Sequence, residues 1–213
     1  MIKTAIFDFD GTLVDSNQIK KQEFFNVTSD LPFSKEVMSS ILSSPKAGNR
    51  YQIFKKFGFV LEKNHKHEID IQNLIDNYTL RCEEKVSSAK SIKGAKKTLK
   101  WLRNNGINVV ISSATPTKTL INIVANRDIS VLIDNILGSP KTKEQHIEMV
   151  KKIYNLDSNE ILYIGDSDND REAAFNANCD FVGIGEDYSR FAIKPKLFLK
   201  NLEPLVGLIR ELS

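Results

Sequence analysis

Near its start the chain reads Thr4-Ala5-Ile6-Phe7-Asp8-Phe9-Asp10-Gly11-Thr12. Its first part is a short, mostly apolar run of the kind that forms a buried parallel strand. Asp8 and Asp10 are two residues apart, so the backbone must begin to turn if both carboxylates are to face one site. Gly11 permits that turn because it lacks a Cβ atom. The segment therefore predicts a buried strand whose carboxyl end carries a pair of acids.

Further apolar runs of similar length follow along the chain, at residues 107–111, 131–137, 161–164 and 181–184. Helical patterns lie between them, at 95–104, 117–125, 143–154 and 170–177. This alternation is typical of a doubly wound, Rossmann-like α/β fold, in which helices cover both faces of a parallel sheet. Ligands bind such sheets at the carboxyl ends of the strands, which is where Asp8, Ser112 and Asp166 fall.

The stretch from residue 17 to residue 90 breaks the alternation. It contains helical patterns, at 19–28 and 68–87, but no convincing pair of strands. We expect 17–90 to form an inserted α-helical cap domain, and 1–16 with 91–213 to form the α/β catalytic core. A length of 213 residues suits one core with a sizeable insert.

Composition narrows the class of protein. The formal net charge of +3 is spread along the chain, which is too weak to argue for nucleic acid or a membrane surface. Cys82 and Cys179 lie far apart and have no Cys or His at metal-ligand spacing, so neither zinc nor a disulfide framework is indicated. The sequence predicts neither a signal peptide nor a membrane span. We expect a cytoplasmic monomer or small homo-oligomer that binds a small anionic molecule.

A second acidic segment reads Gly165-Asp166-Ser167-Asp168-Asn169-Asp170 and follows a predicted strand. Its alternating acids also resemble the start of a calcium-binding helix-loop-helix loop. That loop requires Gly at its sixth position and Glu at its twelfth. Arg171 and Ala177 stand there instead. The calcium loop is therefore disfavoured.

Four segments together resemble the motifs of the haloacid dehalogenase superfamily, in the family's order: residues 8–13, Ser112, Lys143 and 165–170. The resemblance spans the whole chain and looks most like the branch of phosphoglycolate phosphatases and β-phosphoglucomutases with a helical cap. It implies a magnesium-dependent phosphatase that hydrolyses a small phosphorylated metabolite through an aspartyl-phosphate intermediate.

The resemblance also implies roles for the acids. Asp8 would be the nucleophile, while Asp10 would protonate the leaving oxygen and later activate water. Asp8, the backbone carbonyl of Asp10 and Asp166 would hold Mg²⁺, an ion that prefers hard oxygen ligands. Asp170 would orient a metal-bound water or the lysine.

Ser112 would donate its hydroxyl to the transferring phosphoryl group, together with the backbone N–H groups of Ser113 and Ala114. A serine at a strand end is equally consistent with a helix cap. The required cation is either Lys141 or Lys143. We prefer Lys143, because it opens a predicted helix as in one variant of the family.

Within the predicted cap, Lys46-Ala47-Gly48-Asn49-Arg50 resembles the substrate-specificity loop of sugar-phosphate members. Arg50 is thus a candidate for contact with the far end of the substrate, although a surface position on a helix is equally consistent. His65 and His67 fit a solvated helix start better than a metal site.

Several alternatives remain open from the sequence. A phosphomutase would share every core residue, and a pyrophosphatase or nucleotidase is also compatible. Dehalogenases of the superfamily lack the acids that Asp10 and Asp166 supply. A phospho-receiver module uses similar groups on a similar sheet, but it has no purpose for the long insertion or for Asp10. A catalytically silent scaffold is disfavoured by the complete set of charged residues.

Overall fold

A computed structural model describes residues 1–44, 47–65 and 68–212. The chain divides into two compact units. The core unit comprises Met1–Ser16 and Ser87–Ser213, and the helical unit comprises Asn17–Val86. The return to the core was predicted at residue 91, a few residues after Ser87. The function of the helical unit as a cap stays a prediction.

Within the described residues, the core unit contains a six-stranded sheet in which all strand pairs are parallel. The strand order is β3-β2-β1-β4-β5-β6. The strands are β1 (Thr4–Phe7), β2 (Asn108–Pro116), β3 (Asn135–Ser139), β4 (Ile161–Gly165), β5 (Asp180–Ile184) and β6 (Leu197–Leu199). The predicted doubly wound α/β fold is confirmed.

Helices connect these strands and build the second unit. The helical unit contains α1 (Asn17–Val27), α2 (Ser34–Leu42), α3 (Arg50–His65) and α4 (Ile71–Ser87), the last residue of which falls in the core unit. The core unit adds α5 (Ala95–Asn104), α6 (Thr117–Ala125), α7 (Lys143–Tyr154), α8 (Asp168–Asn176) and α9 (Leu205–Leu212). Among the described helices, none is long and apolar enough to cross a membrane.

β1 occupies the middle of the sheet and is buried at all four positions. Thr4 pairs with Asn108 of β2 on one side and with Ile161 of β4 on the other. The order of the strands reverses here, because β2 and β3 lie on one side of β1 and β4 to β6 on the other. Such a switch point leaves a crevice at the carboxyl ends of the two central strands. This crevice is where β1 delivers Asp8 and β4 delivers Asp166.

One face of the sheet is covered by α7 and α8. Ile6, Val110 and Tyr163 of the sheet pack with Ile147 and Val150 of α7, and these side chains are completely buried. The spacing of the two α7 residues places them on one face of the helix, while its opposite face carries charged residues. The apolar stripe therefore fixes which side of α7 meets the sheet.

The run at residues 131–137 is not a single strand. Ser130–Leu132 forms a 3₁₀ turn, and β3 begins at Asn135. The side chain of Asp134 accepts the N–H of Val109 at 2.8 Å, just before the pairing with β2 begins. The prediction of a strand from residue 131 was therefore wrong in its first half.

The core of the helical unit contains a cluster of aromatic rings. Phe24 of α1 stacks on Tyr78 of α4 with a centroid distance of 4.2 Å, and Phe54 of α3 lies 5.3 Å from Phe24 and 5.6 Å from Tyr78. Rings at such distances contribute beyond the area that they bury. Val37 and Met38 of α2 belong to the same buried cluster, so all four helices share one apolar centre.

Candidate active site

Three acids meet at the carboxyl ends of the central strands. Asp8 directly follows β1, Asp166 directly follows β4, and Asp170 lies in the first turn of α8. One carboxylate oxygen from each lies within 4.8 Å of the others, and all three side chains are buried. The pairing of β1 with β4 explains the meeting, because it places the ends of both strands at the same level. The N–H of Asp8 donates to the carbonyl oxygen of Ile164 at 2.8 Å.

Lys143 supplies positive charge to this cluster. Its Nζ lies 2.9 Å from Asp8 Oδ1 and also donates to Asp170 Oδ1. Lys143 is the first residue of α7, which Thr142 and Gln145 begin with a reciprocal capping box. The start of α7 is therefore well defined, and this fixes the backbone position from which the side chain of Lys143 extends. Lys141 is exposed, and its Nζ contacts Met149 Sδ at 3.2 Å.

The charges in the cluster and the burial of the site shift the pKa values of Lys143 and Asp8. Burial would lower the pKa of Lys143, but Asp170 and Asp8 outweigh it and hold that pKa well above its ordinary value. Burial raises the pKa of Asp8 well above its ordinary value, and the ammonium of Lys143 opposes the rise. The neighbouring acids thus favour the charged form of Lys143, whereas the ionised form of Asp8 depends on neighbouring positive charge.

The absence of a side chain at Gly165 leaves room for the side chain of Asp170. A Cβ atom at residue 165 would lie 2.3 Å from Asp170 Cγ, which no real contact tolerates. The last residue of β4 must therefore be glycine for the acid of α8 to reach the cluster.

Asp10 lies in a different environment from the three clustered acids. Its Oδ1 accepts a hydrogen bond from Ser16 Oγ at 2.6 Å, and its Oδ2 accepts one from Thr115 Oγ1 at 3.3 Å. Gly11 has a φ angle of +83°, as expected for the predicted turn. The two hydroxyl donors were not predicted. Thr115 is 105 positions away in sequence, and no local pattern links it to Asp10.

Ser112 is completely buried in β2. Its Oγ lies 2.9 Å from Nδ1 of His146 and accepts a hydrogen bond from the phenol of Tyr163 at 3.1 Å. The neighbouring Ser113 Oγ accepts the N–H of Thr115 at 3.1 Å. Ala114 is exposed. That Ser112, Ser113 and Ala114 donate hydrogen bonds to a phosphoryl group stays a prediction.

Arg50, the first residue of α3, is buried within the helical unit. It donates to Thr79 Oγ1 at 3.0 Å, and its guanidinium lies 5.2 Å from the ring centroid of Tyr78. The alternative of a surface position is therefore wrong, while a contact with substrate stays a prediction. Lys46 and His67 lie outside the described residues, and His65 is described only through the backbone of α3.

Arg190 and Ala192, which follow β5, contact the acidic segment at residues 165–170. Arg190 Nε lies 3.3 Å from Asp166 Oδ2 and is half exposed, and the N–H of Ala192 donates to Asp168. Burial would raise the pKa of Asp168, but that N–H and Arg171 lower it overall. Asp168 therefore stabilises the backbone around it through contacts with Ala192 and Arg171, whereas Asp166 and Asp170 belong to the acid cluster. Arg190 was not predicted, because it lies 20 positions beyond the last residue of the motif, Asp170.

The three clustered carboxylates fit a magnesium ion. Mg²⁺ prefers hard oxygen ligands and is commonly held by one or two protein carboxylates together with substrate phosphate. Among the described residues, the three buried carboxylates face the ammonium of Lys143 and the half-exposed guanidinium of Arg190, so the ionised set still carries one excess negative charge. A divalent cation would compensate that excess.

A family model described as haloacid dehalogenase-like hydrolase matches residues 5–184. The chain belongs to this family. The resemblance inferred from the four motifs is confirmed, and membership identifies the chain as an enzyme. The match includes the segments that carry Asp8, Ser112, Lys143 and the acids after β4.

Individual relatives of this family member support a phosphatase. A phosphoglycolate phosphatase of Vibrio vulnificus is 21% identical over 237 residues, covering 98% of this chain and 96% of the relative. The crystal structure of a predicted phosphoglycolate phosphatase from Haemophilus somnus 129pt is 22% identical, with a TM-score of 0.79 and 98% of both chains covered. A β-phosphoglucomutase from Clostridium difficile is 21% identical, with a TM-score of 0.76, covering 100% of this chain and 97% of that one. The two structures demonstrate the shared fold.

Proposed function

We propose that this protein is a magnesium-dependent phosphatase that hydrolyses a small phosphorylated metabolite. The observation that carries the proposal is the meeting of Asp8 with Lys143, Asp166 and Asp170 at the switch point of the sheet. A nucleophilic carboxylate, a fixed ammonium and a group of metal-binding acids are the parts that phosphoryl transfer to an aspartate requires.

In the proposed reaction, a carboxylate oxygen of Asp8 attacks the phosphorus atom. The bond between phosphorus and the ester oxygen breaks, and Asp10 gives its proton to the departing alcohol. Water then attacks the phosphorus of the aspartyl-phosphate while Asp10 takes up a proton. Inorganic phosphate leaves, and both acids return to their starting states.

The approach of Asp8 to a phosphate dianion requires countercharge. At about 3.5 Å and an effective dielectric constant of about 20, the repulsion amounts to about 9 kcal/mol. Lys143 supplies one positive charge beside Asp8. Magnesium held by Asp8, Asp166 and the backbone carbonyl of Asp10 would supply the remainder, with Asp170 in support.

Asp10 suits the part of acid and base because its surroundings differ from those of Asp8. Asp10 is half-buried, and the hydroxyls of Ser16 and Thr115 donate to its carboxylate. Hydroxyl donors hold the carboxyl in place without fixing its protonation as firmly as an ammonium would. Asp10 can therefore exchange a proton while Asp8 acts as the nucleophile.

The similarity to phosphoglycolate phosphatases favours a small phosphorylated carboxylic acid as the substrate. Phosphoglycolate is accordingly the first compound to test, followed by sugar phosphates. We propose that the helical unit selects among these substrates as a cap, with Arg50 as the candidate contact.

The experiment is to measure phosphate release from a panel of phosphorylated metabolites, with magnesium and with a chelator. Wild type is compared with Asp8→Asn and with Asp180→Asn, an equal charge change at the exposed start of β5. We expect magnesium-dependent release by wild type and Asp180→Asn, and none by a folded Asp8→Asn. Wild-type turnover by Asp8→Asn would contradict the nucleophile. A long-lived phosphorylated protein without turnover would indicate a receiver-like module.

A further inference from the structure

A chain of buried hydrogen bonds lies next to Lys143 in the core unit. His146 follows Lys143 by three residues on α7, so both side chains project from the same face of the helix, and both are buried. Nε2 of His146 lies 3.1 Å from the carbonyl oxygen of Gly138, and Nδ1 lies 2.9 Å from Ser112 Oγ. The hydroxyl of Tyr163 donates to the same oxygen at 3.1 Å.

The donor and the acceptor of each hydrogen bond in this series can be assigned. A carbonyl oxygen only accepts, so Nε2 of His146 must carry a hydrogen toward Gly138. A neutral imidazole carries one such hydrogen, which makes Nδ1 an acceptor for the hydroxyl of Ser112. Burial lowers the pKa of His146 and favours this neutral form, although the carbonyl of Gly138 opposes the shift. The order of donation is therefore Tyr163 to Ser112 to His146 to Gly138.

These hydrogen bonds join the start of α7 to three strands of the sheet. Ser112 belongs to β2, Gly138 to β3 and Tyr163 to β4, and His146 belongs to the second turn of the helix. Lys143 begins that helix and has a long, flexible side chain. When the backbone at the start of α7 cannot shift relative to the sheet, the ammonium of Lys143 occupies a fixed position.

Tyr163 also lies within electrostatic reach of the lysine. Burial raises the pKa of Tyr163 well above its ordinary value, and the ammonium of Lys143 is the largest influence that opposes the rise. The hydroxyl of Ser112 has a single proton, which it donates to His146, so it has no second proton for a substrate. This arrangement favours a supporting part for Ser112 and Tyr163 over the phosphoryl contact predicted for Ser112.

We propose that Tyr163, Ser112 and His146 are positioning residues that hold Lys143 against Asp8. The inference rests on the proposed function for its catalytic consequence, because the ammonium then opposes the charge that develops as Asp8 attacks. Its structural part, the placement of the ammonium, can be measured separately. Nothing in the four family motifs predicts the parts of Tyr163 and His146.

The test compares two tyrosines that each lose one hydroxyl. Tyr163→Phe removes the first donor of the chain. Tyr154→Phe is the matched control, since the Tyr154 hydroxyl accepts from Asn135 Nδ2 at 2.7 Å and joins the far end of the same helix to β3. With p-nitrophenyl phosphate and magnesium, we expect Tyr163→Phe to lower kcat about tenfold or more with KM within about threefold. Tyr154→Phe should keep kcat within about twofold of wild type.

A double variant tests whether the effect passes through the lysine. In a Lys143→Met background, Tyr163→Phe should cause no further loss of kcat, because the group that it positions is gone. A further tenfold loss would overturn the inference, and so would wild-type kcat in a folded Tyr163→Phe. If Tyr163→Phe does not fold, Ser112→Ala interrupts the same chain one residue later, and the same outcomes apply.

A measurement without turnover separates this inference from the proposed function. The side-chain ammonium of Lys143, buried and ion-paired, should give a resolved ¹H–¹⁵N resonance in magnesium-free protein. We expect Tyr163→Phe to shift or broaden that resonance and Tyr154→Phe to leave it unchanged. If wild type releases no phosphate from any compound, the proposed function fails and the resonance still decides the positioning. A wild-type resonance in Tyr163→Phe overturns it.

Discussion

Lys143 Nζ lies 2.9 Å from Asp8 Oδ1, although 135 positions separate the two residues in sequence. Both side chains are buried, and removing one partner of a buried ion pair leaves the other charge uncompensated. We expect Lys143→Met to lower the free energy of unfolding by about 3 kcal/mol without magnesium. We also expect it to reduce kcat at least about 100-fold, because the transferring phosphoryl group loses its fixed countercharge.

The control for that variant is Lys141→Met, which removes an equal charge two residues earlier from an exposed side chain. It should change stability and kcat little. Urea unfolding and phosphate release measure the two effects. The preference for Lys143 as the site lysine would be refuted if the Lys141 variant lost more activity than the Lys143 variant.

The acid cluster predicts stabilisation by magnesium. A ligand that binds only the folded protein adds about 2.7 kcal/mol to stability at 100 times its dissociation constant. We expect wild type to unfold at a higher temperature when magnesium is added and Asp166→Asn to lose most of that increase. Asp168→Asn, which alters an acid outside the cluster, should retain it. An equal magnesium response in both variants would place the ion elsewhere.

A substitution at Gly165 tests the close packing around Asp170. Gly165→Ala would place its Cβ atom 2.3 Å from Asp170 Cγ. We expect a loss of about 1 to 3 kcal/mol in stability, as overpacking commonly causes, and a fall in kcat as Asp170 and Lys143 move. In Gly207→Ala, on α9, the added Cβ meets nothing within 4 Å. That variant should be as stable as wild type or more stable. Equal behaviour of the two variants would contradict the packing argument.

Glu23 in the helical unit predicts a dependence of stability on pH. The side chain is buried and accepts hydrogen bonds from Arg81 of α4 at 2.6 Å and from Lys85. Burial would raise the pKa of Glu23, but Lys85 and Arg81 outweigh it and hold that pKa below 4.5. A carboxyl with a lowered folded pKa stabilises the protein above its unfolded pKa, and the contribution disappears as the pH falls through the folded pKa.

Glu23→Gln should therefore destabilise the protein at pH 7 and lose this effect below about pH 4. We expect about 1 to 2 kcal/mol at pH 7, a modest figure because both cations are nearly half exposed, at 47% and 45%. Glu36→Gln alters an exposed acid of α2 and should have little effect at either pH. Urea unfolding at both pH values provides the measurement. A cost that is independent of pH would assign the effect of Glu23→Gln to packing.

Regular helices were the most predictable part of the fold. The bounds expected for 95–104, 117–125 and 143–154 are those of α5, α6 and α7. Each carries an apolar stripe at helical spacing, so local sequence and burial agree. β6 was not predicted, since it has three half-buried residues and pairs only with β5 among the described strands. A strand of that length depends on its partner more than on its own sequence.

In the candidate site, Asp8 and Asp166 could be located because their motifs follow predicted strands, and Lys143 could be located because it begins a predicted helix. Their supporting groups could not. His146, Tyr163 and Arg190 reach the site through the packing of α7, β4 and the segment after β5, and no local spacing expresses those meetings. The burial of Arg50 could not be predicted either, because a surface position was equally consistent with its sequence. In the structure its guanidinium contacts an aromatic ring and a hydroxyl within the helical unit.

The central position of β1 also has a consequence for biosynthesis. Its neighbours in the sheet begin at Asn108 and Ile161, so more than 150 residues must follow Thr4 before both edges of the strand can be paired. At translation rates of about 5 to 20 residues per second, this takes roughly 10 to 30 s. The strand that delivers Asp8, the proposed nucleophile, is thus the first to leave the ribosome and is enclosed only late in synthesis. Until β4 has been made, the nascent chain carries an apolar strand with at least one open edge, which makes it a natural target for chaperones.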